Sequence, residues 1–156
     1  MATGKSTVGP LVAQTLAVPF VDLDVRIAER ARMSIHEIFQ ARGEAGFRRL
    51  ERETLLEVLT REPMVLALGG GTLHQPGNLR SISQVMDVVI LSASMQTLKA
   101  RGGRNRPLWG NAERLYAERM PGFLSAGPLV RVDGLSPELV AARVIASVGE
   151  EEQGWF

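Results

Sequence analysis

Cysteine is absent from the 156-residue chain. Disulfides, zinc–thiolate centres and thiol nucleophiles are therefore excluded. Only two histidines occur, His36 and His74. Neither has a partner at metal-ligand spacing, so both are read as structural. No apolar run approaches the ~20 residues needed to span a bilayer. No charged stretch followed by an apolar one opens the chain, so no signal peptide is expected. An excess of one charge is lacking too: 18 Lys and Arg stand against 17 Asp and Glu, for a formal net charge of +1. That excludes a strong non-specific polyanion binder, hence a nucleic-acid partner, but leaves room for a local basic pocket. No internal repeat or low-complexity segment is present. These absences predict a soluble cytoplasmic protein with no membrane partner.

What is present is ordinary globular composition, 45% hydrophobic and 22% charged. A chain of this length buries about 70% of the surface its unfolded form exposes, enough for a real core. A single domain over residues 1–149 is expected. The acidic end, Glu150-Glu151-Glu152-Gln153-Gly154-Trp155-Phe156, is expected to be a disordered tail.

The pattern along the chain alternates helix and strand. Val8, Leu11, Val12 and Leu16 have helical spacing over 5–17. Pro10 falls inside that stretch, where a lost hydrogen bond costs ~3 kcal/mol, so a kink or a later start is expected. Phe20 to Asp24 reads as a strand and 25–31 as a helix. Ser34 and Glu37 form a capping box. Gly43-Glu44 breaks the pattern before an amphipathic helix from Phe47 to Thr60, which Pro63 ends. Met64 to Leu68 suits a buried parallel strand, and Gly69-Gly70-Gly71 follows at once. Asn78 to Ser83 predicts a short helix, with Arg80 solvated, and Val85 to Leu91 a buried strand. Ser94 caps a helix to about Arg101, a loop fills 102–111, and Ala112 to Glu118 is helical. Leu129 to Asp133 reads as a strand, and Ser136-Pro137-Glu138 opens the last helix. The alternation predicts an α/β fold with a mostly parallel sheet. In such sheets ligands bind beyond the carboxyl ends of the strands, where Asp22, Asp24 and the glycine triplet fall.

Gly4-Lys5-Ser6-Thr7 opens the first helix and matches the end of the phosphate loop G-x-x-x-x-G-K-[ST]. Helix N-terminal N–H groups attract phosphate, the lysine adds a mobile charge, and the following hydroxyl reaches magnesium. Alone the tetrapeptide is weak, and a surface helix cap is the bland alternative. The first glycine of the loop and the strand before it are not in the chain. A parallel sheet lacking that strand would expose unpaired backbone at a buried edge.

Further patterns follow in order: Asp22-Leu23-Asp24, Ser34-Ile35 with Glu37-Ile38-Phe39, and Gly43-Glu44 with Phe47-Arg48 and Glu51. Then come Gly69-Gly70-Gly71, Arg106-Pro107-Leu108, and Arg119 followed by Pro121. In this order and spacing the set closely resembles the shikimate kinase family, from Met1 to about Val148. The resemblance implies a P-loop NTPase-like three-layer α/β/α fold of the nucleoside-monophosphate-kinase kind, with a lid loop. It places Met1 at an internal methionine of the family's phosphate loop. An earlier natural start is therefore expected, with a strand of ~5–6 residues and the rest of the loop ahead of Met1. The alternative is a chain that starts here and folds poorly.

The same resemblance implies the roles. ATP would be held by Gly4, Lys5, Ser6 and Thr7, with Arg106 closing as a lid and stabilising the transferring phosphoryl group. Ser6 would ligate Mg²⁺, with Asp22 helping through water. Asp24 would bind shikimate's ring hydroxyls and take or orient the attacking hydroxyl's proton. Arg48 and Arg119 would clamp the substrate carboxylate, which suits the planar guanidinium fork. Gly70 and Gly71 would let the backbone approach the substrate. The implied activity is ATP-dependent phosphorylation of shikimate to shikimate 3-phosphate, in chorismate and aromatic amino-acid biosynthesis, by a monomer.

Departures from the family concern the ATP side. Trp109 stands where a second leucine follows Arg-Pro-Leu, and the stretch from Arg106 to Arg119 is short. Phe123 stands where a tyrosine is common, and the loop from Asp133 to Pro137, which would border adenine, is short. Arg101 and Arg104 are read as loop charges. Two alternatives stay open: a non-catalytic relative that binds without turnover, and another small-molecule kinase of the gluconate-kinase type.

Overall fold

A computed structural model describes residues 3–59, 62–102 and 112–149. Arg104, Arg106, Trp109 and the 150–156 tail lie outside the described residues. The order is α1 (Lys5–Leu16), β1 (Phe20–Asp22), α2 (Leu23–Ala31), α3 (Ile35–Val58) and β2 (Val65–Ala67). A 3-10 turn over Thr72–His74 leads to α4 (Asn78–Ser83), β3 (Ile90–Ser92) and α5 (Met95–Gly102). Then come α6 (Ala112–Leu124), β4 (Leu129–Arg131) and α7 (Pro137–Gly149). The chain divides into two compact units: Met1–Val12 with Asp87–Phe156, and Ala13–Met86.

In the Ala13–Met86 unit, β1 pairs parallel with β2, with Phe20 opposite Val65 and Asp22 opposite Ala67. The crossover is α2 and α3, which pack on each other. Leu23 and Ile27, one helical turn apart, are fully buried on α2. On α3 the buried positions 38, 47, 50, 51, 54 and 55 follow helical spacing. Burying each large apolar side chain contributes ~1.5–3 kcal/mol. Glu51 sits within that stripe, a carboxylate where the pattern asks for a hydrocarbon. Ser34 and Glu37 form the expected box: the Glu37 N–H donates to Ser34 Oγ at 3.2 Å, and the Ser34 N–H to Glu37 Oε2 at 2.7 Å. The Ser34 hydroxyl, which also donates to Glu37 Oε2 at 2.7 Å, and then the Ser34 N–H hold the Glu37 carboxyl below its ordinary range. Gly43 breaks α3 where expected, with φ 64° and ψ −176°.

In the other unit, β3 pairs parallel with β4, with Ile90 opposite Leu129. α7 packs against β4 and buries Val140 and Ala141. Beyond β4, the Asp133 carboxylate accepts the Thr97 hydroxyl at 2.6 Å and the Ser94 N–H at 2.9 and 3.1 Å. Led by the Thr97 bond, these hold its pKa down at about 2. Asp133 thus stays ionised through the mildly acid range and fixes the entry to α5.

All the observed strand pairing is parallel, as expected, and the described strands pair two by two. Several boundaries differ from the sequence expectation. The first strand stops at Asp22, because Asp22 Oδ1 accepts the Asp24 N–H at 3.0 Å and caps α2. Asp24 therefore stands in the first turn of a helix. The strand expected over Val85–Leu91 covers only Ile90–Ser92. Val85 and Met86 both donate to the Ile82 carbonyl, which prolongs the turn of α4, and Val85 is exposed. Pairing starts where the Ile90 N–H meets the Pro128 carbonyl at 2.8 Å. Just before it, Gly127 passes Val88 too closely to admit a side chain. α6 runs through Pro121 to Leu124 instead of stopping at Glu118, and α1 carries Pro10 without a break. Each proline leaves one backbone hydrogen bond of its helix unmade, and the helix continues past it.

Candidate active site

Within the Ala13–Met86 unit, α3 places Arg48, Glu51 and Arg52 on one face, three and four residues apart. Glu51 is 1% exposed. Its Oε2 meets Arg48 Nη1 at 2.9 Å, and its Oε1 accepts the Thr72 hydroxyl at 2.7 Å. Exposed Glu44 adds a looser contact to Arg48 Nη2 at 3.6 Å. The Arg48 guanidinium carbon lies 5.2 Å from the Phe47 ring centroid, and Phe47 stacks on Phe39 at 4.4 Å. The guanidinium is thus held by a carboxylate and backed by a ring. Its Nε is buried and has no acceptor among the described residues. A buried donor left without an acceptor costs ~1–3 kcal/mol, and a bound anion would relieve that.

The glycine triplet leaves β2 beside these groups. A Cβ added to Gly69 would lie 3.2 Å from Asp24 Oδ1 and 3.2 Å from Thr72 Oγ1. A Cβ on Gly71 would lie 2.6 Å from Arg48 Nη2 and 3.0 Å from Nη1. Gly71 has φ −107°, which any residue adopts, so the requirement there is space. Gly70 lies between them. The unit therefore brings together the predicted Asp24, Arg48, Gly70 and Gly71, with a carboxylate at one end and a guanidinium at the other.

Of the other predicted residues, Asp22 caps α2, Gly4, Lys5, Ser6, Thr7 and Arg119 belong to the other unit, and Arg106 lies outside the described residues. Gly4 has φ 96°, a left-handed turn that favours glycine, and its carbonyl accepts the Thr7 and Val8 N–H groups at 3.0 and 2.8 Å. Lys5, Ser6 and Thr7 form the first turn of α1, with Ser6 and Thr7 exposed. First-turn N–H groups and the helix dipole favour an anion at such an end. Arg119 is half-buried on α6.

The family model for shikimate kinase matches residues 1–148 of the chain. The chain belongs to the shikimate kinase family. It is 38% identical over 154 residues to a shikimate kinase of Xylella fastidiosa strain 9a5c, covering 93% of this chain and 86% of the relative. It is 37% identical over 164 residues to a shikimate kinase of Brucella canis, covering 98% and 82%. Among solved structures, the shikimate kinase of Acinetobacter baumannii in complex with shikimate superposes with TM-score 0.91. That structure is 28% identical, over 98% of this chain and 90% of that one. The Aquifex aeolicus shikimate kinase superposes with TM-score 0.88 at 29% identity, over 99% and 95%. The expected α/β P-loop NTPase fold is thereby established.

In this shikimate kinase family member, sequence reasoning left out the groups that hold the arginine. Glu51 enters there only within the family pattern, and the sequence assigns no site role to Thr72, Asn78 or Arg52. Glu51's place in an apolar stripe was the available signal. Both histidines and Arg80 are exposed. A groove of about 640 Å³ along β1 and α2 is lined by Asp22, Val25 and Arg26 but not by Arg48 or Glu51. The ion pairs Arg26–Glu29 and Arg30–Glu57 lie along it.

Proposed function

We propose that this protein phosphorylates shikimate on its 3-hydroxyl with ATP, yielding shikimate 3-phosphate and ADP, in the chorismate route to aromatic amino acids. The observation that carries the reading is Arg48, with its guanidinium fixed by Glu51 and a buried Nε that has no acceptor among the described residues, in the same unit as Asp24 and the glycine turn. Arg48 receives the substrate carboxylate, and Arg119 adds a second cation. Gly70 and Gly71 bring backbone to the ring. Asp24 orients the 3-hydroxyl and takes its proton as the oxygen bonds to the γ-phosphorus and the bond to ADP breaks. Positioning and charge supply most of the catalysis in such transfers.

Gly4, Lys5, Ser6 and Thr7 hold the ATP phosphates at the start of α1, and Arg106 completes the nucleotide side. Among the described residues no three His, Cys, Asp or Glu gather into a metal site. Magnesium carried by nucleotide phosphates needs only one or two protein oxygens, and the Ser6 hydroxyl and Asp22 carboxylate are the hard donors it takes. Bound there, it would neutralise phosphate charge. The chain works as a monomer, with residues 1–149 as one kinase domain, in the cytoplasm. Among the described residues no helix is long and apolar enough to cross a membrane.

A coupled assay of ADP release is expected to show turnover with shikimate and none with gluconate. Absence of turnover in folded protein would establish a non-catalytic relative instead. Gly71→Ala tests the arginine side. The added methyl would push aside the far end of Arg48, so the fold should survive. The shikimate KM should rise ~10- to 100-fold, since hydrogen bonds to charged groups contribute ~1.5–3 kcal/mol. An unchanged KM would remove Arg48 from the carboxylate site.

A further inference from the structure

We infer that Thr72 and Asn78 are positioning residues for Arg48, acting on its guanidinium through Glu51. The inference rests on the reading of Arg48 as the arginine that meets the substrate carboxylate. A long arginine side chain loses much rotamer freedom when it is held, so its orientation must be imposed. Glu51 imposes it through Oε2, and Glu51 is itself oriented by the Thr72 hydroxyl on Oε1. Thr72 is fully buried, and its carbonyl accepts from Asn78 Nδ2 at 2.9 Å. Asn78 is also fully buried, and its Oδ1 accepts from Arg52 Nη1 at 2.9 Å. Arg52 Nη1 also reaches the Gly77 carbonyl at 3.3 Å.

The hydrogen bonds therefore form a closed circuit that leaves α3 at Arg48 and Glu51 and returns to it at Arg52. Both polar ends of the Asn78 amide are used, one to each side of the circuit. Thr72 is likewise used twice, through its hydroxyl and its carbonyl. Thr72 directly follows Gly71, which abuts the Arg48 guanidinium. The glycine turn and the arginine are thus placed by one set of bonds. Hydrogen-bonded polar groups around a buried Glu51, Thr72 and Asn78 favour one arrangement, because any slip leaves a buried group unpaired.

Thr72→Val keeps the shape and removes only the hydroxyl, and Thr72→Ser restores it. Asn78→Asp keeps the acceptor for Arg52 and removes the donor to Thr72. The readouts are hydrogen exchange of the Arg48 Nε–H by nitrogen-15 NMR in the free enzyme, and the shikimate and ATP KM values. In Thr72→Val and Asn78→Asp the exchange and the shikimate KM should each rise about tenfold, with the ATP KM and kcat within about threefold. Thr72→Ser should return both to within about threefold of the parent. Arg48 exchange unchanged in both Thr72→Val and Asn78→Asp would overturn the inference. Faster exchange in Thr72→Val, with the shikimate KM unchanged both there and in Arg48→Ala, would support the circuit. That outcome would remove Arg48 from the carboxylate site.

Discussion

Asp24→Asn is expected to lower kcat for shikimate phosphorylation by ~10²–10⁴-fold, the usual worth of a positioned general base. The substitution is nearly isosteric and removes the charge and the proton-accepting oxygen together. Asp24 stands in the first turn of α2, held there because Asp22 Oδ1 accepts its backbone N–H at 3.0 Å. That bond is to main chain, so asparagine keeps it. Asp24 Oδ1 lies against Gly69, which has no side chain to displace it. The position of the group should survive and its chemistry should not. The residues that open α1 are untouched, so the ATP KM should stay within a few-fold. Steady-state kinetics on both substrates measure this. A kcat within about tenfold of the parent would leave Asp24 an orienting group at most.

That placement was only half legible in the sequence. Asp22-Leu23-Asp24 marks the end of a strand, and it does so in the structure. The sequence pattern carried the strand through Asp24, whereas the Asp22 cap turns the chain two residues sooner. A capping side chain competes for the backbone locally, and alternation over so short a run cannot register it. The capping box at Ser34, the break at Gly43 and the helix at Asn78–Ser83 were legible because each depends on local chemistry. The expected strand at Val85 was not. An apolar run looks alike whether it pairs or continues a turn, and the bonds of Val85 and Met86 to Ile82 decide that locally. Arg48 was found through the family pattern. The groups that hold it come from a helix and a turn some twenty residues apart in the chain, as Thr72 and Glu51 show, so no local motif announces them.

Glu51 carries the second large effect. Its carboxylate is buried between the Arg48 guanidinium and the Thr72 hydroxyl, and cutting it back strands both. Removing one partner of a buried pair costs ~3–5 kcal/mol, and here the lower end applies because Arg48 keeps some contact with solvent. Glu51→Ala should therefore cost about 3 kcal/mol, measured by urea unfolding. For a chain of this size that lowers Tm by roughly 6–12 °C. Glu51→Gln keeps an acceptor for Thr72 and loses only the charge, so it should fall between the parent and Glu51→Ala. The double variant Arg48→Met with Glu51→Leu separates stability from function. Replacing a whole buried pair by apolar side chains is often neutral or stabilising, so the fold should recover most of the lost stability. Shikimate turnover should not return with it, because the buried Nε donor is gone. A Glu51→Ala loss below about 1 kcal/mol would put the pair in the class of exposed ion pairs. Recovered turnover in the double variant would mean that the pair is retained for packing and that the substrate carboxylate is met elsewhere.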